Sequence, residues 1–138
     1  MLAFLVVACG PDLPVGWEDA EPVASLVQHE CDGTPYEPYD VTLDADLSGS
    51  PVSAAVHNAH FRCAQDVEGF WQWSGDALQI LVQPSDMNPR IVAGCDCLYD
   101  LDITVEADGT PTSLEVWERQ DALNDPNEPE RVATQPSP

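Results

Sequence analysis

Apolar side chains recur at every second position in two stretches of the chain, and this period of two is the feature that most constrains the fold. In residues 95–106 the odd positions are Cys, Cys, Tyr, Leu, Ile and Val, whereas all but one of the even positions are polar. In residues 40–48, Val, Leu, Ala and Leu alternate with acidic and hydroxyl side chains. Strict alternation of this length is typical of an antiparallel strand with one buried and one solvated face.

Weaker alternation predicts further strands in 23–31, 52–63, 67–73, 78–83 and 112–120. Clusters of Gly, Asp, Ser and Pro separate these stretches and predict turns. No stretch has the 3.6-residue period of an amphipathic helix. About seven short strands in about 100 residues predict an all-β chain folded as a small antiparallel β-sandwich, with an open barrel as the alternative.

The distribution of proline divides the chain into a folded unit and two flanking segments. Residues 10–22 contain three prolines and no periodicity, which predicts a flexible tether. Residues 121–138 contain four prolines among Asn, Asp, Glu and Gln, which predicts a disordered tail. The segment 23–120 between them is the predicted β domain.

The first eight residues are uncharged, and they form an apolar run that ends at Cys9. Such a run is typical of a signal peptide and is too short for a transmembrane helix, which needs about 20 apolar residues. The stretch Val6-Val7-Ala8-Cys9 resembles the lipobox of bacterial lipoproteins, in which a small residue precedes the lipid-attachment cysteine.

This resemblance implies a diacylglycerol on the Cys9 sulfur, an acyl group on its α-amine, and removal of residues 1–8. Two or more acyl chains anchor a protein firmly, so residues 9–22 would be the anchor and tether. The implied location is the extracytoplasmic face of a bacterial envelope membrane, with the outer membrane favoured. No Lys or Arg precedes the apolar run, so we expect the true start to lie upstream. The rest of the sequence resembles no characterised family.

Four cysteines lie in the predicted domain: Cys31, Cys63, Cys95 and Cys97. An even number in an exported chain predicts two disulfides. Cys95 and Cys97 are two positions apart in one strand, about 6.6 Å at Cα with parallel Cβ directions, so a bond between them is disfavoured. We therefore expect Cys31 and Cys63 each to bond one of the pair, inside the core. The sequence leaves both pairings open, and in either one Cys9 is the cysteine that is not part of a pair.

A metal site is the alternative use of these residues. His57, His60 and Cys63 are close in sequence, and Cys95 with Cys97 would supply further ligands for tetrahedral zinc. Two features argue against zinc. The cysteine pair is Cys-x-Cys rather than Cys-x-x-Cys, and a separation of three places the histidines on opposite faces of a regular strand. We therefore expect no metal and no other cofactor.

The stretch Phe70-Trp71-Gln72-Trp73 places both tryptophans on one face of a strand. Large aromatic residues dominate the cores of small domains, so we expect Trp71 and Trp73 to be core residues. The alternative is an exposed aromatic surface that stacks on a sugar ring, beside the acids Asp66, Glu68 and Asp76.

Charge and the lack of catalytic motifs narrow the function classes. The formal charge is −21, from 25 acidic residues against four arginines, and such a field argues against a nucleic-acid partner. No Ser or His lies in a recognisable catalytic frame, so we do not expect an enzyme. The sequence predicts a lipid-anchored module for binding or envelope structure, without identifying its ligand. The alternative is a small periplasmic metal-binding protein or hydrolase that uses His57, His60 and Cys63.

Overall fold

The structure is a computed structural model that describes residues 10–124 and 127–136. These residues form nine β-strands: β1 (Glu21–Pro22), β2 (Ser25–Gln28), β3 (Thr42–Asp46), β4 (Val52–Arg62), β5 (Val67–Ser74), β6 (Ala77–Pro84), β7 (Asp96–Val105), β8 (Ser113–Glu118) and β9 (Glu130–Pro136). Strands β2 to β8 coincide with the seven predicted stretches, which confirms the all-β prediction. Within the described ranges there is no helix suited to crossing a membrane.

The strands form two sheets that pack face to face around one main core. One sheet has five strands in the order β1-β5-β6-β8-β9, and the other has four in the order β2-β7-β4-β3. The core between them includes Val56, Phe61, Ile80, Leu101 and Val116. The predicted β-sandwich is therefore the observed architecture. One pair, β6 and β8, is parallel, because the chain passes through the other sheet as β7 between them.

The sandwich has two distinct ends. Strands β4, β6 and β8 finish, and β5 and β7 begin, at what we call the proximal end. Arg62 at the end of β4 binds Asp121 beyond β8 (Nε to Oδ2, 2.9 Å), so both sheets share this end. Its connections include 63–66, 85–95 and the link from β8 to β9, of which we use the part 119–124. The opposite, distal end has the connections 47–51, 75–76 and 106–112.

The segment 12–20 covers the outer face of the five-stranded sheet. Trp17 is only 5% exposed and belongs to a second apolar cluster with Phe70 and Leu81. Its ring also meets Trp117 edge-on, with the ring centroids 6.1 Å apart. The cluster lies outside the main core, so the central part of this sheet is buried on both faces.

Side chains of the five-stranded sheet hold the covering segment at Asp12. The main-chain oxygen of Asp12 accepts hydrogen bonds from Gln83 Nε2 at 2.8 Å and from Arg119 Nη1 at 3.0 Å. Further along, Glu21 and Pro22 pair with β5 as strand β1. The prediction of a flexible tether over residues 10–22 is therefore wrong from Asp12 onward. The segment lacks periodicity because it packs as irregular chain rather than because it is free.

Strand β9 corrects the prediction of a disordered tail. Residues Glu130–Pro136 pair antiparallel with β8 at the edge of the five-stranded sheet. The Gln135 amide then reaches the edge strand β3 of the other sheet. Its Oε1 accepts from Ala45 N and its Nε2 donates to Ala45 O, both at 2.8 Å. The tail residues 125, 126, 137 and 138 lie outside the described residues.

Candidate functional site

Both disulfides lie at the proximal end of the four-stranded sheet. Cys31 bonds Cys97 and Cys63 bonds Cys95, with Cα–Cα distances of 5.6 and 5.5 Å. The prediction that Cys31 and Cys63 each bond one of the pair is confirmed, and the pairing is resolved. The expectation that both bridges lie inside the core is wrong, because only Cys97 is buried. Cys95 lies just before β7 and is exposed.

A β-bulge in β4 brings His57 and His60 to the same face. The pairing of β4 with β7 shifts by one residue between Val56 and Ala59, and Asn58 has a φ of 64°. An extra residue on one strand reverses the alternation beyond it. Both histidines therefore lie on the outer face of the four-stranded sheet, and the prediction that they face opposite sides is wrong.

Each of the three histidines lies beside an aspartate of β7 on this outer face. The distances are 2.7 Å for His29 Nε2 to Asp102 Oδ2, 3.3 Å for His57 Nδ1 to Asp100 Oδ1 and 3.6 Å for His60 Nε2 to Asp96 Oδ1. All six side chains are at least one-third exposed, and exposed pairs contribute only about 0–1 kcal/mol each. We call this row the histidine–aspartate face.

The cysteines of the alternative metal site come together as disulfides rather than as thiolates, with Cys97 Sγ 3.0 Å from Cys63 Sγ. Cys63 is bonded to Cys95 and Cys97 to Cys31, so these sulfurs are not thiolate ligands. Across residues 10–124 and 127–136, no three His, Cys, Asp or Glu side chains are grouped as a metal would require. The bulge removes one argument against zinc, but the disulfides replace it with a stronger one.

A buried carboxyl group lies between the sheets at the proximal end. Glu118 is 6% exposed, and its Oε1 accepts a hydrogen bond from the main-chain N–H of His60 at 2.8 Å. Burial raises the pKa of Glu118 to about 8; the bond from His60 opposes the shift and the charge of Glu130 adds to it. Glu118 is therefore mostly protonated at neutral pH and can lie in the core without a cation.

A row of three side chains resembles the arrangement around an activated nucleophile. It consists of Tyr39, His60 and Asp96. The Tyr39 hydroxyl lies 3.0 Å from His60 Nδ1, and the other ring nitrogen faces Asp96. However, burial raises the pKa of Tyr39, and the charges of Glu118, Glu130 and Asp96 raise it further. The phenol stays protonated near neutral pH, so the row lacks the lowered pKa that a nucleophile needs.

Trp71 and Trp73 lie on the inner side of β5, and Phe70 lies on the outer side, as the alternation predicts. Trp71 is 9% exposed and part of the main core, and Trp73 packs against that core while partly exposed. Their rings meet edge to face with centroids 6.5 Å apart. The core prediction is therefore confirmed for Trp71, whereas Trp73 also presents surface to solvent near the distal end.

The two tryptophans form part of the wall of an open cleft of about 650 Å³ at the distal end. Trp73 Nε1 donates a hydrogen bond to Asp108 Oδ1 at 3.1 Å, which fixes the indole against the acidic part of the wall. We call this feature the acidic–aromatic cleft; its lining residues are Asp19, Glu21, Trp71, Gln72, Trp73, Glu106 and Asp108.

The lining suits a positively charged ligand. It contains four carboxylates, two indoles and no basic side chain. A cation within about 6 Å of an indole centroid is attracted by the ring quadrupole, and the surrounding carboxylates add Coulombic attraction. Alkylammonium and guanidinium groups combine the required charge with an apolar outline that contacts the rings.

Sequence reasoning found the two tryptophans but not their acidic neighbours. The acids predicted beside them, Asp66, Glu68 and Asp76, do not line the cleft. The acids that do so come from the covering segment and β1 at one side and from the connection after β7 at the other. No local pattern links these segments, because only the packing of the cover onto β5 brings them together.

Cys9 lies outside the described residues, so its lipidation stays a prediction. No protein-family model, curated protein or solved structure matches the chain.

Proposed function

We propose that the chain is a membrane-anchored extracytoplasmic lipoprotein whose β domain binds a cationic ligand. The apolar run that ends at Cys9 supports the anchor. The two disulfides support an oxidising compartment, because cytosolic thiols are kept reduced. The acidic–aromatic cleft is the observation that carries the binding role.

The cleft combines two weak attractions at one place. Exposed carboxylates attract a cation only weakly one at a time, because water and salt screen them. An indole face adds attraction that strengthens when the cation sheds part of its water. The partly exposed Trp73 provides that face, beside the largely buried Trp71. Glu106 and Asp108 approach from the connection that follows β7. The affinity for a cation therefore depends on having the carboxylates and the indole face at one site. We expect this affinity to fall when either the carboxylates or the indole is removed.

The anchor is tested by substitution of Cys9. The chain is expressed in bacteria behind a start that supplies a basic n-region, and the cells are fed an alkyne fatty acid. We expect the parent protein to be labelled and to fractionate with membranes. Cys9→Ala should be unlabelled and leave the membrane fraction, whereas the neighbouring control Pro11→Ala should behave as the parent. Membrane partitioning of Cys9→Ala equal to the parent would refute the anchor.

The cleft is tested by titration of the purified Cys9→Ala protein with tetramethylammonium chloride, followed by tryptophan fluorescence and calorimetry. We expect saturable binding that weakens with added salt. Glu21→Gln with Glu106→Gln should weaken it at least tenfold. The control pair Asp44→Asn with Glu128→Gln removes the same charge elsewhere and should change it less than twofold. Saturable binding of methyl glucoside, or equal losses in both pairs, would refute a cation site.

A further inference from the structure

The two ends of the sandwich expose different kinds of side chain. At the proximal end, Ile91 is 91% exposed, and Val92 beside it and Leu123 are exposed as well. The two connections that carry them are adjacent, since Ala122 N donates to Met87 O at 2.8 Å. The distal connections 47–51, 75–76 and 106–112, which are described throughout, expose no large apolar side chain. The distal end carries the acidic–aromatic cleft instead.

The covering segment ties the proximal end to the predicted lipid. Asp12 is held there by Gln83 and Arg119, and the Asp12 carboxylate lies 3.5 Å from Arg119 Nη1. Gly10 and Pro11 alone separate Asp12 from Cys9. Three Cα–Cα steps reach at most about 11 Å. A lipid on Cys9 would therefore keep the proximal end close to the membrane surface rather than at the end of a long tether.

The maximum reach of about 11 Å exceeds the depth of the headgroup layer by only a few ångströms. That layer is roughly 5–8 Å deep on each side of the hydrocarbon core. With Asp12 no more than about 11 Å from the lipidated residue, side chains that project from the same end are within reach of the layer. The connections 85–95 and 119–124 flank this end and carry the exposed apolar side chains.

The charge of the connection 85–95 suits a lipid surface better than the rest of the chain does. It contains one acid, Asp86, and one base, Arg90, so it has no net charge, whereas the chain carries −21. At a bilayer surface, an arginine beside exposed apolar residues places its guanidinium at phosphate level while its neighbours lie in the headgroup layer. Acids elsewhere at this end, such as Asp66 and Glu128, favour a zwitterionic over an anionic bilayer.

We propose that the proximal end rests on the bilayer that holds the Cys9 lipid, with Ile91, Val92 and Leu123 in the headgroup layer. The acidic–aromatic cleft then faces away from the membrane. This inference rests on the proposed anchor and adds a second, weaker attachment with a fixed orientation.

Hydrogen exchange followed by mass spectrometry tests the orientation. The lipidated full chain is reconstituted in phosphatidylcholine vesicles and compared with Cys9→Ala protein in solution. We expect exchange to slow at least threefold in 85–95 and 119–124 and to stay unchanged in 106–112. Ile91→Asp should remove this protection without changing the fold, because the side chain is almost fully exposed. Val27→Asp, at an exposed site of β2, is the matched control and should retain the protection.

The outcomes separate this inference from the proposed anchor. Failure of the lipidated chain to float with vesicles overturns the anchor itself. Flotation with unslowed exchange in 85–95, or with slowing in 106–112, overturns the orientation and leaves the anchor standing. Protection that grows with protein density on the vesicles points to a second copy of the chain as the covering surface, and it also overturns the orientation.

Discussion

The two sheets reach stability by different means, although they share one core. In the five-stranded sheet, β6 is buried on both faces from Ile80 to Pro84, because the segment 12–20 covers its outer side. In the four-stranded sheet, β4 alternates between buried and accessible positions, because its outer side is the solvated histidine–aspartate face. One sheet is held by an apolar cover and the other by two disulfides.

The apolar cover and the disulfides stabilise this strongly negative chain in different ways. A cover removes apolar area from water, which is worth about 25 cal/mol per Å². A disulfide acts mainly on the unfolded chain and needs no further apolar surface. The four-stranded sheet has no cover within the described ranges, so its outer face stays polar and its strands are tied covalently instead.

The largest expected effect comes from removing a disulfide. Cys31 and Cys97 are 66 residues apart, and loop-closure entropy predicts a loss of about 4 kcal/mol in unfolding free energy when both become Ala. The pair Cys63 and Cys95, 32 apart, should lose slightly less. Urea unfolding measures both values. Amide exchange should accelerate first in the four-stranded sheet; earlier acceleration in the five-stranded sheet would contradict the comparison.

Removal of the apolar cover comes next. Trp17→Ala should lower the unfolding free energy by about 3 kcal/mol, as large-to-small changes at buried aromatic positions do. The control is Val27→Ala on the exposed face of β2, which should cost less than about 0.5 kcal/mol. Urea unfolding of both variants tests the prediction. If Trp17→Ala lowers the unfolding free energy as little as the control does, the segment 12–20 does not stabilise the sheet that it covers.

The buried boundary between the two sheets should differ from both outer faces in one respect. Its contribution to the unfolding free energy should depend on pH, because it contains the carboxyl group of Glu118. The folded pKa of Glu118, about 8, lies above its ordinary value of 4.5, so the folded chain holds this proton more tightly than the unfolded chain. The resulting stability is fully present below about pH 4.5 and is lost as the pH rises towards 8. Glu118→Gln should therefore match the parent near pH 4.5 and be the more stable protein at pH 9, with a difference that grows as the pH rises from about 4.5 to 8.

Urea unfolding at several pH values checks this prediction. The exposed control Glu128→Gln should keep the parent's dependence on pH. Parallel curves for the parent and Glu118→Gln would mean that the carboxyl group is ionised in the folded protein.

The smallest effect is expected on the histidine–aspartate face. In the parent, the main-chain nitrogen of Asn58 lies 3.4 Å from Asp100 Oδ1. Asp100→Asn removes the negative charge beside His57 and keeps an oxygen that can accept this hydrogen bond. We expect a loss below about 0.5 kcal/mol by urea unfolding at pH 7, since the pair is solvated. A loss above about 2 kcal/mol would show that this face stabilises its sheet, and the contrast between the sheets would weaken.

The same contrast explains what the sequence could predict. Alternation of apolar and polar residues is clear in a strand that has one face in water. This alternation predicted the strands of the four-stranded sheet, including β3 and β7. It also located β5, β6 and β8, since their inner faces still follow the period. It could not reveal β9, where Val132 and Ala133 are the only aliphatic residues and the pairing with β8 supplies the order. A single Trp17 among prolines has no period at all.

The candidate site was predictable in part for the same physical reason. The alternation placed Trp71 and Trp73 correctly on one face of β5. The bulge at Asn58 was hidden because one extra residue leaves no compositional signal, although Asn tolerates a positive φ better than most residues do. The acids of the cleft come from the covering segment, β1 and the connection after β7, so their convergence is a tertiary property that no local pattern contains.

The Gln135 amide at Ala45 bears on how the domain behaves among other chains. An unpaired strand edge presents free donors and acceptors to which a foreign strand can add, and such additions lead to aggregation. At β3 the amide satisfies both the N–H and the C=O of Ala45, as a neighbouring strand would. One side chain thus blocks the middle of an edge that would otherwise template polymerisation.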